Sequence, residues 1–126
     1  MAGERILAVD DSATVLEMIK SVLVAEGYDV ITASDGAEGL ETARRERPDL
    51  ILLDVMLPKL DGYRVCRLLK FDQKYKNIPI IMLTAKTEEQ SMVTGMRTGA
   101  NQYLTKPIEP ERLLSAVAEE LAKAQG

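Results

Sequence analysis

The residues able to do chemistry in this chain stand where apolar runs stop. Arg5-Ile6-Leu7-Ala8-Val9 ends on Asp10-Asp11, and Asp49-Leu50-Ile51-Leu52-Leu53 ends on Asp54. Ile80-Ile81-Met82-Leu83 ends on Thr84, and Gln102-Tyr103-Leu104-Thr105 leads into Lys106-Pro107. An unbroken aliphatic run lacks the alternation of a half-exposed strand, so it reads as a strand covered on both faces, the habit of parallel sheets. Parallel strands joined by crossover helices present their carboxyl ends to one edge, where open α/β sheets bind ligands. Three carboxylates, a hydroxyl and an ammonium are therefore expected on one rim.

Crowded carboxylates raise one another's pKa unless a cation lies among them. Oxygen ligands without His or Cys suit magnesium, which keeps some of its waters and leaves room for a phosphate oxygen. A carboxylate beside such an ion can attack phosphorus to give an aspartyl phosphate, with the metal, Lys106 and Thr84 meeting the developing charge. No Gly-x-x-x-x-Gly-Lys-Ser/Thr loop is present to hold a nucleoside triphosphate. The phosphoryl group must then arrive already activated, from another protein or a small phosphodonor.

The elements that position these groups alternate regularly. After the first strand, Val15, Met18, Ile19, Val22 and Leu23 recur at helical spacing from Ser12 to about Glu26, and Gly27 is a natural stop. Tyr28 to Ala33 reads as a second strand. Asp35 and Glu38 have capping-box spacing ahead of Leu40 and Ala43, and Pro48 closes that helix. Beyond Asp54, Pro58 and Gly62 punctuate a loop before a helix from about Tyr63 to Phe71. Thr87 and Gln90 open a fourth helix to about Thr98. Pro110 begins a last helix whose buried side carries Leu113, Leu114, Val117 and Leu121. Five strands and five helices alternating predict an α/β fold, a doubly wound parallel sheet.

Bulk properties narrow the function further. At 126 residues and 46% hydrophobic, residues 1–126 fit one domain with a real core. A net charge of -4 argues against a nucleic-acid backbone binder held by bulk charge. No long apolar segment marks a signal peptide or membrane span, so the cytoplasm is the expected compartment. Cys66 is the only cysteine, which excludes an internal disulfide, and its helical context makes it a small core hydrophobe. With no histidine there is no Ser–His or Cys–His pair and no phosphohistidine formed on this chain.

Asp10-Asp11, Asp54, Thr84-Ala85 and Lys106-Pro107, in that order and on those strand ends, resemble the receiver domain of two-component response regulators. The likeness runs from Arg5 to about Leu121. It implies a flavodoxin-like strand order 2-1-3-4-5. It also implies that Asp54 accepts a phosphoryl group from a phosphohistidine on a sensor histidine kinase or phosphotransfer protein, in a chemotaxis-type switch or a phosphorelay. By the same resemblance Asp11, Asp54 and the Met56 backbone carbonyl bind magnesium directly, and Asp10 contributes through water. Thr84 and Lys106 would contact the phosphoryl oxygens, Tyr103 would be the aromatic switch, and Lys106-Pro107 a cis peptide. The switched surface would be the fourth helix, fifth strand and fifth helix, in a monomer or a phosphorylation-dependent dimer.

The fourth helix holds Ser91, Val93, Thr94, Gly95 and Thr98, all weaker helix formers than Ala or Leu, and is the expected moving part. No output domain is expected after the last helix, so output should be a contact with a downstream protein and not with DNA. Met56 and Lys86, two residues after Asp54 and Thr84, would flank the phosphoryl group. Two alternatives stand beside the switch. A phosphatase of the haloacid dehalogenase type also uses a strand-end Asp with magnesium, but those enzymes carry a second Asp where this chain has Met56. A receiver-shaped scaffold that is never phosphorylated is the other. Taken singly, Asp61 reads as turn chemistry, Met92 and Met96 as packing, and Arg44, Arg45 and Arg47 as a solvated helix end.

Overall fold

The structure, a computed structural model, describes residues 3–85 and 99–125. Strands β1 (Arg5–Val9), β2 (Asp29–Ala33), β3 (Leu50–Asp54), β4 (Ile80–Ala85) and β5 (Gln102–Lys106) alternate with helices α1 (Ala13–Ala25), α2 (Gly36–Glu46), α3 (Gly62–Lys70) and α4 (Pro110–Gln125). The strands form one all-parallel sheet in the order β2-β1-β3-β4-β5. That is the expected order. Four helices lie among the described residues, and the helix expected over about Thr87 to Thr98 falls outside them, as do Lys86, Met92 and Met96.

The aliphatic runs explain the layering. Successive strand residues point to opposite faces, so each run feeds two cores. Leu7, Val9, Ile51, Leu53, Ile80 and Met82 pack with residues of α2 and α3 on one face. Ile6, Ala8, Leu50, Leu52, Ile81 and Leu83 pack with α1 and α4 on the other. All five residues of β3 are buried, and each of its fully covered aliphatic side chains contributes roughly 2 kcal/mol of transfer free energy. Leu114 lies half-buried at the margin of its cluster, flanked by the fully covered Leu113 and Val117.

Local signals set the helix ends. Ser12 caps α1, its side chain accepting from Val15 N, and Gly27 follows at φ +94°, a left-handed turn that suits glycine. Asp35 caps α2 through Glu38 N at 2.7 Å. The return bond of the expected capping box is displaced, because Glu38 Oε1 accepts from Ser34 N at 2.7 Å, one residue before the cap. Arg47, left-handed at φ 47°, ends α2 just before Pro48. The arginines there are exposed, as expected, and two also make surface contacts: Arg45 pairs with Glu41 and Glu46, and Arg47 lies 5.6 Å over the Tyr75 ring. Asp61 caps α3 by accepting from Arg64 N.

Candidate functional site

Register delivers the acidic groups together. Val9 is the parallel partner of both Ala33 and Leu53, so the residues that follow it in β1 emerge beside the end of β3. One hydrogen bond continues each ladder past the strand ends, from Asp10 N to Ala33 O and from Val55 N to Leu83 O. Asp10 is fully buried, Asp54 is buried and Asp11 is exposed. One carboxylate oxygen from each of the three falls within 4.8 Å of the others.

The donors around them are few and specific. Asp10 Oδ1 accepts from Ser12 N at 2.9 Å, and its Oδ2 accepts from Lys106 Nζ at 2.9 Å. Lys106 also stands 3.4 Å from Asp54 Oδ2, while Asp54 Oδ1 accepts from Met56 N at 3.3 Å. Lys106-Pro107 is cis, as expected. Burial first, and then the field of Asp10, push the Asp54 carboxyl up to about 6 from 3.8; Lys106 and the Met56 amide pull it back without cancelling the rise. Burial pulls the Lys106 ammonium down, but its bond to Asp10 and the fields of Asp54 and Asp10 outweigh that and raise it. The result, among the described residues, is a carboxylate rim, buried at Asp10 and Asp54 and exposed at Asp11, with more negative charge than Lys106 balances.

That imbalance is a test of fit for a cation, and the rim passes it. The donors are all carboxylate oxygens, with no histidine or cysteine among them, which is the set a hard divalent ion such as magnesium takes. Asp11 faces solvent, so the ion could keep waters.

Thr84 is buried at the end of β4, its Oγ1 3.4 Å from Ala85 O. Tyr103 is half-buried against the α2–α3 core. Met82 is the register partner of Tyr103, and Thr84 follows Met82 by two residues, so Thr84 and Tyr103 share a sheet face. Met56 is 67% exposed, with its side chain directed away from the core.

Two further residues serve the rim. Ser12 orients Asp10 through its backbone amide while its hydroxyl caps α1, a role readable from its place between an acidic pair and a helix. Gly62 N donates to Val55 O at 3.0 Å, and a Cβ there would collide with the Asp54 carbonyl oxygen. Only glycine lets α3 start so close to the end of β3.

A doubly wound parallel sheet with carboxylates and a lysine beyond the carboxyl ends of its strands defines a class of α/β folds that bind ligands at that edge. Residues 6–118 match the response regulator receiver domain family. The chain belongs to that family. It is 48% identical over 98% of its length to the alkaline phosphatase synthesis transcriptional regulatory protein PhoP of Bacillus subtilis. It is 44% identical over 95% of its length to the DNA-binding response regulator MtrA of Mycobacterium tuberculosis. The chain spans about half the length of each, 50% and 51%. Among solved structures, the chemotaxis response regulator CheY4 of Vibrio cholerae superposes with a TM-score of 0.88 at 36% identity, covering 94% of this chain and 99% of that one. No helix among the described residues is long and apolar enough to cross a membrane.

Proposed function

We propose that Asp54 is the phosphoacceptor of a magnesium-dependent switch. The observation that carries this reading is the Asp10, Asp11 and Asp54 cluster with Lys106 bridging two of its members. When bound, magnesium supplies positive charge against the oxygens of the transferring group; Asp11, Asp54 and the Met56 carbonyl would hold it, with Asp10 acting through water. An Asp54 carboxylate oxygen attacks phosphorus, the bond from phosphorus to the donor's imidazole nitrogen breaks, and its electron pair stays on that nitrogen. Lys106 and the Thr84 hydroxyl then contact the phosphoryl oxygens. The donor is a sensor histidine kinase or a phosphotransfer protein, and small acyl phosphates serve in its place.

The output, on this reading, is a protein contact. Thr84 moving toward the phosphoryl group leaves space on the sheet face it shares with Tyr103, and the tyrosine turns into it. The fourth helix expected over Thr87 to Thr98 would complete a five-helix domain and form the responsive surface with β5 and α4, acting as a monomer or a phosphorylation-dependent dimer in the cytoplasm. The relatives' DNA binding is theirs; the acidic balance of this chain favours a protein target. Met56, exposed and without a proton to give, disfavours the phosphatase alternative, which a turnover assay with a generic phosphomonoester checks.

Acetyl phosphate with magnesium should add one phosphoryl mass that hydroxylamine removes. Failure to gain it, or its survival in Asp54→Ala, rejects the reading. Tyr103→Ala should keep that mass gain and lose phosphorylation-dependent partner binding.

A further inference from the structure

Away from the acidic rim, α3 carries a second stripe that its packing does not use. Gly62, Val65, Cys66 and Leu69 face the core, while Arg64, Arg67, Leu68 and Phe71, at helical spacing i, i+3, i+4 and i+7, face outward. Phe71 is the chain's only phenylalanine and is 71% exposed. Burying so large an apolar ring is favourable, yet the fold leaves it in water. Leu68 beside it is 44% exposed. With Leu60 and Arg44 across the gap toward α2 they line an open groove of about 920 Å³.

Charge identifies what would cover this groove. Arg44, Arg64, Arg67 and Lys74 border it, in a chain whose net charge is -4. Asp72 is the one acid on the lining, and its carboxylate already accepts from the backbone N of Lys74 at 2.8 Å. Arg67 covers one side of the Phe71 ring at 5.6 Å, holding the apolar and cationic elements in one patch. An apolar floor with a cationic border is the complement of an amphipathic helix with bulky apolar anchors and acidic flanks.

We propose that the α2–α3 groove docks an acidic amphipathic helix of a partner protein, its apolar anchors on Leu60, Leu68 and Phe71 and its carboxylates on Arg44, Arg64, Arg67 and Lys74. A nucleotide fits less well, because the site is open on one side and offers one aromatic ring without a wall facing it. The docking face is separate from the acidic rim and is tested without magnesium or phosphodonor, so its failure leaves the phosphoacceptor reading untouched.

The probe is a fluorescein-labelled helical peptide of about 16 residues with Leu and Phe at i, i+3, i+4 and i+7 and Glu at the flanking positions. Its controls carry Lys for Glu, or Ser for the apolar anchors. Fluorescence anisotropy on the unmodified protein should show saturable binding to the acidic peptide, at least tenfold weaker for either control. Phe71→Ser and Arg67→Glu, both at exposed positions and checked for unchanged melting temperature, should each weaken binding at least tenfold. Three results overturn the proposal: no saturation up to about 1 mM peptide, a range of weak contacts; equal binding by the two variants; or equal binding of the Lys peptide. A concentration-dependent dimer in light scattering that Phe71→Ser abolishes would give the groove to a second copy and reject the helix. Displacement of the peptide by ATP alone at sub-millimolar concentration would give it to a nucleotide.

Discussion

Lys106 Nζ donates to Asp10 Oδ2 at 2.9 Å, joining residues 96 positions apart in the chain. Asp10 is completely enclosed and Lys106 is 28% exposed, so the aspartate depends on the lysine far more than the reverse. Removing one member of a buried pair strands the other's charge in a poor dielectric. Lys106→Met should therefore cost about 3 kcal/mol of unfolding free energy in urea titrations, in metal-free buffer. Adding Asp10→Asn should return most of that loss. A single variant as stable as the parent would show that solvent already reaches Asp10.

Asp10, Asp54 and Thr84 were legible in the sequence because each closes an unbroken aliphatic run, and such runs have one comfortable home, the middle of a parallel sheet; Lys106 follows the mixed run Gln102–Thr105 of an edge strand and was legible from its place in the series. The three aliphatic runs form the middle strands β1, β3 and β4, the mixed segments expected as strands two and five form the edges β2 and β5, and Asp10, Asp11 and Asp54 meet as expected. What pattern could not give is pairing. Glu38 returns its bond to Ser34 and not to Asp35, because that choice depends on the loop's path. Glu120 was hidden for a similar reason. It reads as one acid of a helix surface, yet it is buried, with Gln102 Nε2 donating to it at 2.7 Å and the Lys123 ammonium 3.7 Å away as an ion-pair partner. A partner arriving from β5 is invisible in helical periodicity. The outward stripe of α3 escaped for the opposite reason, since a helix scanned for its core face is read once, and Phe71 passes for its end.

The Asp54 carboxyl gives a pH signature of the rim. Its folded value of about 6 exceeds the ordinary 3.8, so between those values the folded state holds its proton more tightly than the unfolded chain. The stability tied to that proton is full below about pH 4, falls as pH rises to about 6 and stays lost above it. Asp54→Asn removes the charge at every pH. In metal-free protein it should be more stable than the parent by about 2 kcal/mol at pH 7, once loss of the Lys106 contact is set against the relieved burial. At pH 4 the difference should vanish. Urea titrations at the two values decide the matter, and a constant difference would mean that Asp54 titrates normally.

Magnesium should act on the same imbalance from outside. A ligand present at about 100 times its dissociation constant and bound only to the folded state stabilises by about 2.7 kcal/mol. Titration of the metal-free protein with magnesium chloride should raise the melting temperature in a saturable manner, where sodium chloride of equal ionic strength does not. Asp11 is exposed, so Asp11→Asn should leave the metal-free melting temperature nearly unchanged. The same variant should move the magnesium midpoint at least tenfold higher. If the magnesium response of Asp11→Asn overlays that of the parent, the ion is held elsewhere.

On the proposed phosphoacceptor reading, Met56 should govern how long the phosphorylated state lasts. Its amide donates to Asp54 Oδ1 at 3.3 Å, which places its backbone against the proposed acceptor, while the residue is 67% exposed. Hydrolysis of an acyl phosphate needs a water lined up opposite the leaving carboxylate, and a side chain able to hydrogen-bond that water lowers the cost of placing it. A thioether is at most a weak acceptor and orients water poorly. Met56→Asn supplies a carbonyl and an amide at the same point without touching the backbone amide that Asp54 uses. Following decay of the hydroxylamine-labile mass after removal of acetyl phosphate, the variant should lose its phosphoryl group on the order of tenfold faster. Met56→Leu, which likewise offers no hydrogen bond to that water, should decay at the parent's rate. Equal lifetimes for Met56→Asn and Met56→Leu would place control of hydrolysis with the lysine and the metal and not with this side chain.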